Sequence, residues 1–258
     1  MLDLSMIAYP KLEDIKSALF IQPHPDDNEI GAGGTMALLV KKGIPVYGLT
    51  VTEGRGGSSY YSPEQLGEIR KREAQEAMDV LGVKNLGTLG YHNGNPIIHE
   101  RLVEELVKVI RDIKPYAIFT VDPNLENEMH PVHIAVGKAV QEAYMRSGQV
   151  YYPFSENQRH KDAYQVPVIG YYFTLNDNTV VNIEDTYDLK IKAIKKHESQ
   201  VNEVFLEQLE AMYAIISQTT EYKYAEKLKL LKNIHTVPLL FVHQARPIQL
   251  NHFLLNNI

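Results

Sequence analysis

The chain has 258 residues, of which 44% are hydrophobic and 22% are charged, and its formal net charge is −6. These values are ordinary for a globular protein with a sizeable core. An acidic chain without a basic cluster argues against nucleic-acid binding. There is no cysteine, which excludes disulfides and thiolate chemistry, so a bound metal would rely on His, Asp or Glu.

The N-terminal residues lack the pattern of a secretion signal, which is a basic start followed by an apolar run. Apolar stretches elsewhere are far shorter than the roughly 20 residues of a membrane helix. We therefore expect a cytoplasmic protein that does not contact a membrane.

The first half of the chain alternates short apolar runs with helical patterns. The apolar runs predict strands, and the amphipathic stretches between them predict helices. The predicted strands cover residues 17–21, 45–52, 86–91 and 116–121, and the predicted helices cover residues 35–42, 63–81 and a segment ending before Pro115. This alternation is typical of βαβ units with a parallel sheet.

The second half is less regular. Strands are predicted at residues 168–174, 179–183 and 238–243, and helices at 187–197, 201–217 and 222–231. Because no repeat or linker interrupts the pattern, we predict one domain over residues 1–258. Its fold class would be α/β, a Rossmann-like, mostly parallel sheet flanked by helices, with an irregular C-terminal part.

A polar cluster, His24-Pro25-Asp26-Asp27, directly follows the first predicted strand. Ligands of open parallel sheets bind beyond the carboxyl ends of the strands. Two adjacent carboxylates repel each other, which costs free energy and raises the pKa of each. A bound divalent cation removes this repulsion. The alternative is that these residues only form a turn and a helix cap.

A second polar cluster follows the fourth predicted strand and contains Glu126, Glu128, His130 and His133. Together with the histidine and one aspartate of the first cluster, His133 would form a three-ligand site with an open position for water. That arrangement is typical of catalytic zinc. The remaining aspartate could then act as the general base.

Several motifs occur in one order along nearly the whole chain. They are Pro23-His24-Pro25-Asp26-Asp27, Gly33-Gly34-Thr35, Thr52-Glu53-Gly54, Arg70 with Glu73, His130-Pro131 with His133, His197-Glu198-Ser199-Gln200, and Leu240-Phe241-Val242-His243. In these motifs the chain resembles the LmbE/PIG-L-type N-acetylglucosamine deacetylases. Within that family it is most similar to the diacetylchitobiose deacetylases.

This resemblance implies roles for five residues of the two clusters. His24, Asp27 and His133 would be the zinc ligands. Asp26 would be the general base that activates water. His130 would stabilise the oxyanion or protonate the leaving amine.

The resemblance also implies substrate contacts and an assembly. Arg70 would hold the sugar side of the substrate, Asn93 would hydrogen-bond a sugar hydroxyl, and His243 would lie near the active site. The substrate would be a small amino sugar, and the protein would be a homo-oligomer, a trimer or a hexamer.

The chain departs from the family pattern at two positions. Val132 stands where the family usually has an aspartate that orients its neighbouring histidine. Because valine cannot accept a hydrogen bond, we expect His130 to lose support and its pKa to fall, unless Glu126 or Glu128 substitutes. Asn93 stands where the family often has a second aspartate.

The sequence thus predicts a zinc-dependent hydrolase that removes the N-acetyl group from an N-acetylglucosamine-containing small molecule, such as a chitobiose-like sugar. One alternative is a deacetylase of a bacillithiol-type thiol-precursor glycoside. Another is a catalytically weakened, zinc-containing sugar-binding protein. A metal-dependent phosphoesterase is disfavoured, since neither metal-bearing loop contains a basic residue to bind phosphate.

Overall fold

The computed structural model of the chain describes residues 8–92, 94 and 96–233. Its strands are β1 (Ala18–Gln22), β2 (Val46–Thr52), β3 (Lys84–Tyr91), β4 (Ala117–Val121), β5 (Val168–Tyr172), β6 (Thr179–Asn182) and β7 (Ala225–Lys232). Its α-helices are α1 (Asp27–Lys41), α2 (Pro63–Leu81), α3 (His99–Ile113), α4 (Pro131–Arg146), α5 (Tyr187–Ile194) and α6 (Glu203–Ser217).

The strands form one seven-stranded sheet in the order β3-β2-β1-β4-β5-β7-β6. The first five strands in the chain pair in parallel, and β7 is antiparallel to both of its neighbours. The predicted α/β class with a mostly parallel sheet is therefore confirmed. Strand β1 lies between β2 and β4, so the loops that follow β1 and β4 emerge side by side at one edge of the sheet.

Helices cover both faces of the sheet, which explains why its central strands are hydrophobic throughout. Every residue of β1 is buried. Phe20 points into an apolar cluster that includes Met36 of α1. Leu19 and Ile21 point into the opposite cluster, which includes Val136 of α4.

Helix α2 has the predicted bounds because both of its ends are marked by the sequence. The Ser62 hydroxyl accepts a hydrogen bond from the backbone N–H of Gln65 at 3.3 Å, as an N-cap does. Gly82 ends the helix in the left-handed region, with φ of 71°.

Helix α1 begins at Asp27, eight residues before its predicted start at Thr35. Glycine is a poor helix former, so the Gly31–Gly34 segment does not look helical in the sequence, and the predicted helix starts two turns too late. Those turns pack too closely for side chains: a Cβ on Gly31 would lie 2.2 Å from the Tyr172 ring. The glycines therefore allow close contact between α1 and the sheet.

The helix predicted at residues 222–231 is wrong, because the segment forms strand β7. Its Ala, Glu, Lys and Leu residues are good helix formers. Burial nevertheless alternates along it, with Glu226, Leu228 and Leu230 buried and Lys227 and Lys229 partly exposed. Pairing with β5 and β6 overrides the local preference.

Among the described residues, no helix has the length and apolar character that crossing a bilayer would require. The strand predicted at residues 238–243 lies outside the described residues.

Candidate active site

The loop after β1 carries three of the predicted site residues, His24, Asp26 and Asp27. Strand β2 fixes the start of this loop, since the backbone N–H and the hydroxyl of Thr52 both donate to the carbonyl of Pro23, at 3.0 and 2.8 Å. Asp27 then begins α1. The loop is therefore held at the carboxyl end of the central strand.

His24 and Asp27 contact each other within this loop. The carboxylate oxygen Oδ2 of Asp27 accepts the backbone N–H of His24 at 2.8 Å and lies 3.2 Å from Nδ1 of its ring. Both residues are buried, with 7% of their surface exposed. Asp26, directly before Asp27, adopts φ of 128°, a strained conformation for a non-glycine residue of the kind that clusters at active sites.

The loop after β4 brings two more histidines to the same place. His130 is the N-cap of α4, and His133 lies in the first turn of that helix. The ring centroid of His24 is 4.6 Å from that of His130 and 5.3 Å from that of His133. Nε2 of His133 lies 3.3 Å from Oδ1 of Asp27. Five predicted site residues of the two loops are thus brought together.

Glu128 supports this second loop. Its Oε1 accepts the backbone N–H of His130 at 2.8 Å, and its Oε2 lies 3.0 Å from Nδ1 of His133. The sequence raised Glu128 only as a substitute for a missing partner of His130. In the structure its side-chain contact is with His133 instead.

The side chains present fit a divalent metal ion. Ligand atoms of His24, His130 and His133 all lie within 4.8 Å of one another. Nε2 of His24 is buried without a hydrogen-bond partner in the described structure. The Asp27 carboxylate lies between two of these rings, with Oδ2 at 3.2 Å from Nδ1 of His24 and Oδ1 at 3.3 Å from Nε2 of His133.

Two overlapping ligand sets are available in this cluster. The set predicted from the resemblance is His24, Asp27 and His133, and the three imidazoles form the other. Asp27 makes the closer contacts with both His24 and His133, whereas His130 is exposed. The assignment of Asp27 as ligand and of His130 as a catalytic group remains a prediction that this geometry favours.

The two adjacent aspartates have opposite pKa shifts. Burial raises the pKa of Asp26 to about 7, against the lowering effect of Arg70 and with a further rise from the charge of Asp27. Burial would also raise the pKa of Asp27, but hydrogen bonds with His133 and His24 hold it well below its usual range. A pair of carboxylates with separated pKa values is suited to separate roles, one a permanent anion and the other a base.

The pKa values of His130 and His133 are also shifted in opposite directions. Burial and the neighbouring His24 and His133 lower the pKa of His130. Burial would lower the pKa of His133 as well, but contacts with Asp27 and Glu128 raise it to about 9. The lowering of the His130 pKa thus comes from burial and adjacent imidazoles, whereas the sequence-based expectation rested on Val132.

Arg70 is buried, with 4% of its surface exposed, and its guanidinium holds the first loop. It donates to the carbonyl of Gly54 at 3.1 Å, to that of Pro25 at 2.6 Å and to the carboxylate of Asp26 at 3.0 Å. These bonds orient Asp26. A contact between Arg70 and the substrate remains a prediction.

A histidine and a glutamate lie buried close to each other next to the site. Nε2 of His197 is 3.7 Å from Oε2 of Glu29 in α1, and both side chains are fully buried. Burial alone would lower the pKa of His197, but Glu29 and then Asp26 raise it. Nothing in the sequence reveals this contact, because its two residues are far apart along the chain.

Comparison with known proteins gives the family. A model of the family described as GlcNAc-PI de-N-acetylase (PIG-L) matches residues 19–144. The diacetylchitobiose deacetylase of Thermococcus kodakarensis is 31% identical over 236 residues, which is 89% of this chain and 86% of that protein. The chain belongs to the PIG-L family.

Two further similar proteins agree with this assignment. The N,N'-diacetylchitobiose deacetylase of Pyrococcus horikoshii has the same fold, with a TM-score of 0.82 and 28% identity over 91% of this chain and 90% of that one. A probable N-acetyl-α-D-glucosaminyl L-malate deacetylase of Bacillus cereus is 30% identical over 76% of this chain and 88% of its own. The predictions of the family and of a hydrolytic deacetylase are confirmed.

Two predicted substrate contacts of this PIG-L chain, Asn93 and His243, lie outside the described residues. Val132 is described, and it is buried in the apolar cluster on the α3–α4 face of the sheet. Its side chain therefore takes part in packing and offers no hydrogen bond to the site histidines.

Proposed function

We propose that this chain is a zinc-dependent deacetylase that removes the N-acetyl group from an N-acetylglucosamine-containing small molecule and releases acetate. The observation that carries the proposal is the meeting of His24, Asp27 and His133 at one edge of the sheet, with Asp26 beside them. His24, Asp27 and His133 would hold the metal.

Bound at these residues, zinc polarises an acyl carbonyl and lowers the pKa of water toward about 7. The carboxylate of Asp26 takes a proton from the water that attacks the acetyl carbon. Its pKa of about 7 matches this task, since a general base works best when its pKa is near the operating pH. The same proton then reaches the amine nitrogen as the C–N bond breaks, giving acetate and the free amino sugar.

His130 acts on the carbonyl oxygen. Its lowered pKa keeps the imidazole neutral near pH 7, so that a ring N–H can donate a hydrogen bond. This bond strengthens as negative charge moves onto the oxygen in the transition state. His130 is exposed at the start of α4, so the substrate reaches it from solvent.

The substrate that we propose is a chitobiose-like sugar. Its support is the similarity to two archaeal proteins whose names specify diacetylchitobiose, over about nine-tenths of this chain. The Bacillus relative favours a second candidate, an N-acetylglucosaminyl malate of the bacillithiol type. Both are N-acetyl amino sugars, so the reaction at the acyl group is the same.

The test is acetate release from N-acetylglucosamine, diacetylchitobiose and N-acetylglucosaminyl malate, with protein stripped of metal and reloaded with zinc. We expect zinc-dependent release that is fastest from diacetylchitobiose. Faster release from the malate glycoside would assign the second candidate. If the zinc-loaded protein bound the sugar but released no acetate, it would be a catalytically weakened sugar-binding protein instead.

Three finer points belong to the same proposal. The metal is zinc, because two imidazoles and a carboxylate suit it, although a related divalent ion binds similar ligands. The protein works in the cytoplasm as a homo-oligomer, a trimer or a hexamer. Metal analysis of the protein as isolated from its source distinguishes zinc from iron, cobalt and nickel.

A further inference from the structure

The N-terminus of α4 carries two site histidines but has no side-chain cap of its own. The N-cap residue His130 makes no capping hydrogen bond through its ring, and the first turn contains no acidic residue. The carboxylate of Glu128, two residues earlier, accepts the backbone N–H of His130 at 2.8 Å. An anion at this end of a helix is also favoured by the helix dipole.

The same carboxylate contacts the His133 ring. Nδ1 of His133 lies 3.0 Å from Oε2 of Glu128, while Nε2 faces Asp27 at 3.3 Å. With a metal bound at Nε2 in place of a proton, the ring would keep its one proton on Nδ1, where the Glu128 carboxylate accepts it. Glu128 also accepts the backbone N–H of His130. One carboxylate therefore contacts both the His133 ring and the first residue of the α4 N-terminus.

We propose that Glu128 is the positioning residue of His133, holding its ring and tautomer for metal binding. The inference rests on the proposed function only in taking His133 as a metal ligand. Outer partners of this kind commonly change metal affinity by about 10–100-fold when they are removed.

Val132 cannot give this support, because its side chain is 7% exposed and packs in an apolar cluster. Glu128 supplies a carboxylate from the other side of His130. Its side-chain contact is with the metal-binding histidine, so the support acts on metal affinity.

The experiment measures zinc affinity in Glu128→Ala, Glu128→Gln and the matched control Glu126→Gln. Glu126 is exposed in the same loop, so its replacement makes the same change of charge. Competition with a chromophoric chelator gives the dissociation constant without turnover. We expect a rise of about 10–100-fold for the alanine variant and a smaller rise for the glutamine variant, whose amide oxygen still accepts from Nδ1. The control should stay within about twofold of wild type.

Long-range proton–nitrogen spectra of the zinc-loaded protein provide a second measurement. The His133 ring, assigned by its loss in His133→Ala, should be protonated at Nδ1 in the wild type and in Glu128→Gln. The inference would be overturned if Glu128→Ala bound zinc as tightly as the wild type. It would also be overturned if Glu126→Gln lost as much zinc affinity as Glu128→Ala. If the alanine variant does not fold, equal affinities of Glu128→Gln and Glu126→Gln would overturn it.

The proposed function can fail separately from this inference. A wild-type protein that binds zinc in a Glu128-dependent manner but releases no acetate refutes the function and leaves the positioning role intact. Val132→Asp in the Glu128→Ala background is a further check. Recovery of zinc affinity there would show that any carboxylate near the helix start suffices, and would overturn the specific role of Glu128.

Discussion

Asp26 is the residue on which the proposed chemistry depends most. Its side chain is partly buried and accepts a hydrogen bond from the Arg70 guanidinium at 3.0 Å, and its backbone φ is 128°. Asparagine tolerates such positive φ values better than most residues and preserves the shape of the side chain. Replacement by asparagine therefore removes the base while changing little else.

For Asp26→Asn we expect kcat to fall by about 10²–10⁴-fold, the usual contribution of a general base. Zinc content should remain at one equivalent per chain, because the proposed ligands are unchanged. Acetate release under saturating substrate and metal analysis of the same sample test both points. A variant with wild-type kcat would show that another group accepts the proton.

Arg70 offers a second test at the scale of one residue. Its three hydrogen bonds, to Gly54, Pro25 and Asp26, need the fork of a guanidinium, and a lysine cannot make all of them. We expect Arg70→Lys to lower the free energy of unfolding by about 2–4 kcal/mol and to lower kcat about tenfold or more.

Arg72 is the matched control for this substitution. It lies in the same helix with 68% of its side chain exposed and only a 3.9 Å ion pair with Glu76. Arg72→Lys should change neither urea unfolding nor kcat measurably. Equal effects of the two substitutions would contradict the role of Arg70 in holding the loop.

Much of the candidate site could be predicted from the sequence, and the part that could not has a physical cause. His24, Asp26 and Asp27 belong to one short segment, so they are close in space whatever the fold. The approach of His133 follows from β1 and β4 being neighbours in the sheet. Glu128, by contrast, acts through one ring nitrogen, and which nitrogen faces it depends on side-chain rotation that no spacing encodes.

At the scale of elements, α1 is joined to the second half of the chain by buried charges. Glu226 of β7 accepts the backbone N–H groups of Gly34 and Thr35 at 2.9 and 2.7 Å, and it pairs with the Lys190 ammonium at 2.5 Å. One turn earlier in α1, Glu29 pairs with His197. These pairs fix the helix whose first residue is Asp27.

The His197 pair makes a prediction about pH. Glu29 raises the folded-state pKa of His197 above its ordinary 6.5, although burial alone would lower it. A raised pKa means that the stabilisation is fully present below about pH 6.5 and is lost as the pH rises through the folded-state pKa. The wild type should therefore exceed His197→Gln in free energy of unfolding by more at about pH 5.5 than at about pH 9.

Urea unfolding with a metal chelator present measures this difference. His99 is a suitable control, because it forms an ion pair with Glu142 at the surface, where 41% of its side chain is exposed. His99→Gln should change stability by less than about 1 kcal/mol at either pH. A His197→Gln difference that is larger at about pH 9 would contradict the assigned direction.

The elements that could not be predicted are those shaped by distant contacts. Strand β7 has a helix-forming composition, yet β5 and β6 each leave an edge that it fills. The first turns of α1 contain Gly31, Gly33 and Gly34, whose weak helix propensity is offset by contact with Tyr172, Lys190 and Ile183. In both cases packing outweighs local preference, and the packing partners lie more than 40 residues away.

At the scale of the whole molecule, the site draws on both halves of the chain. The metal-binding loops follow β1 and β4, while Tyr172 of β5 donates to Asn28 at 2.9 Å and His197 follows α5. A truncation after β4 would therefore remove the supports of α1. This is consistent with one domain over residues 1–258, which remains a prediction.

The predicted homo-oligomer is also a property of the whole molecule. Large apolar side chains are exposed on α6, among them Val204 and Ile215 with 60% and 65% of their surface exposed, and Phe154 is 59% exposed. Burial of such surface favours association by about 25 cal/mol per Å². We expect sedimentation equilibrium at micromolar concentration to give three or six times the mass of one chain. A mass of one chain at tens of micromolar would contradict the trimer or hexamer.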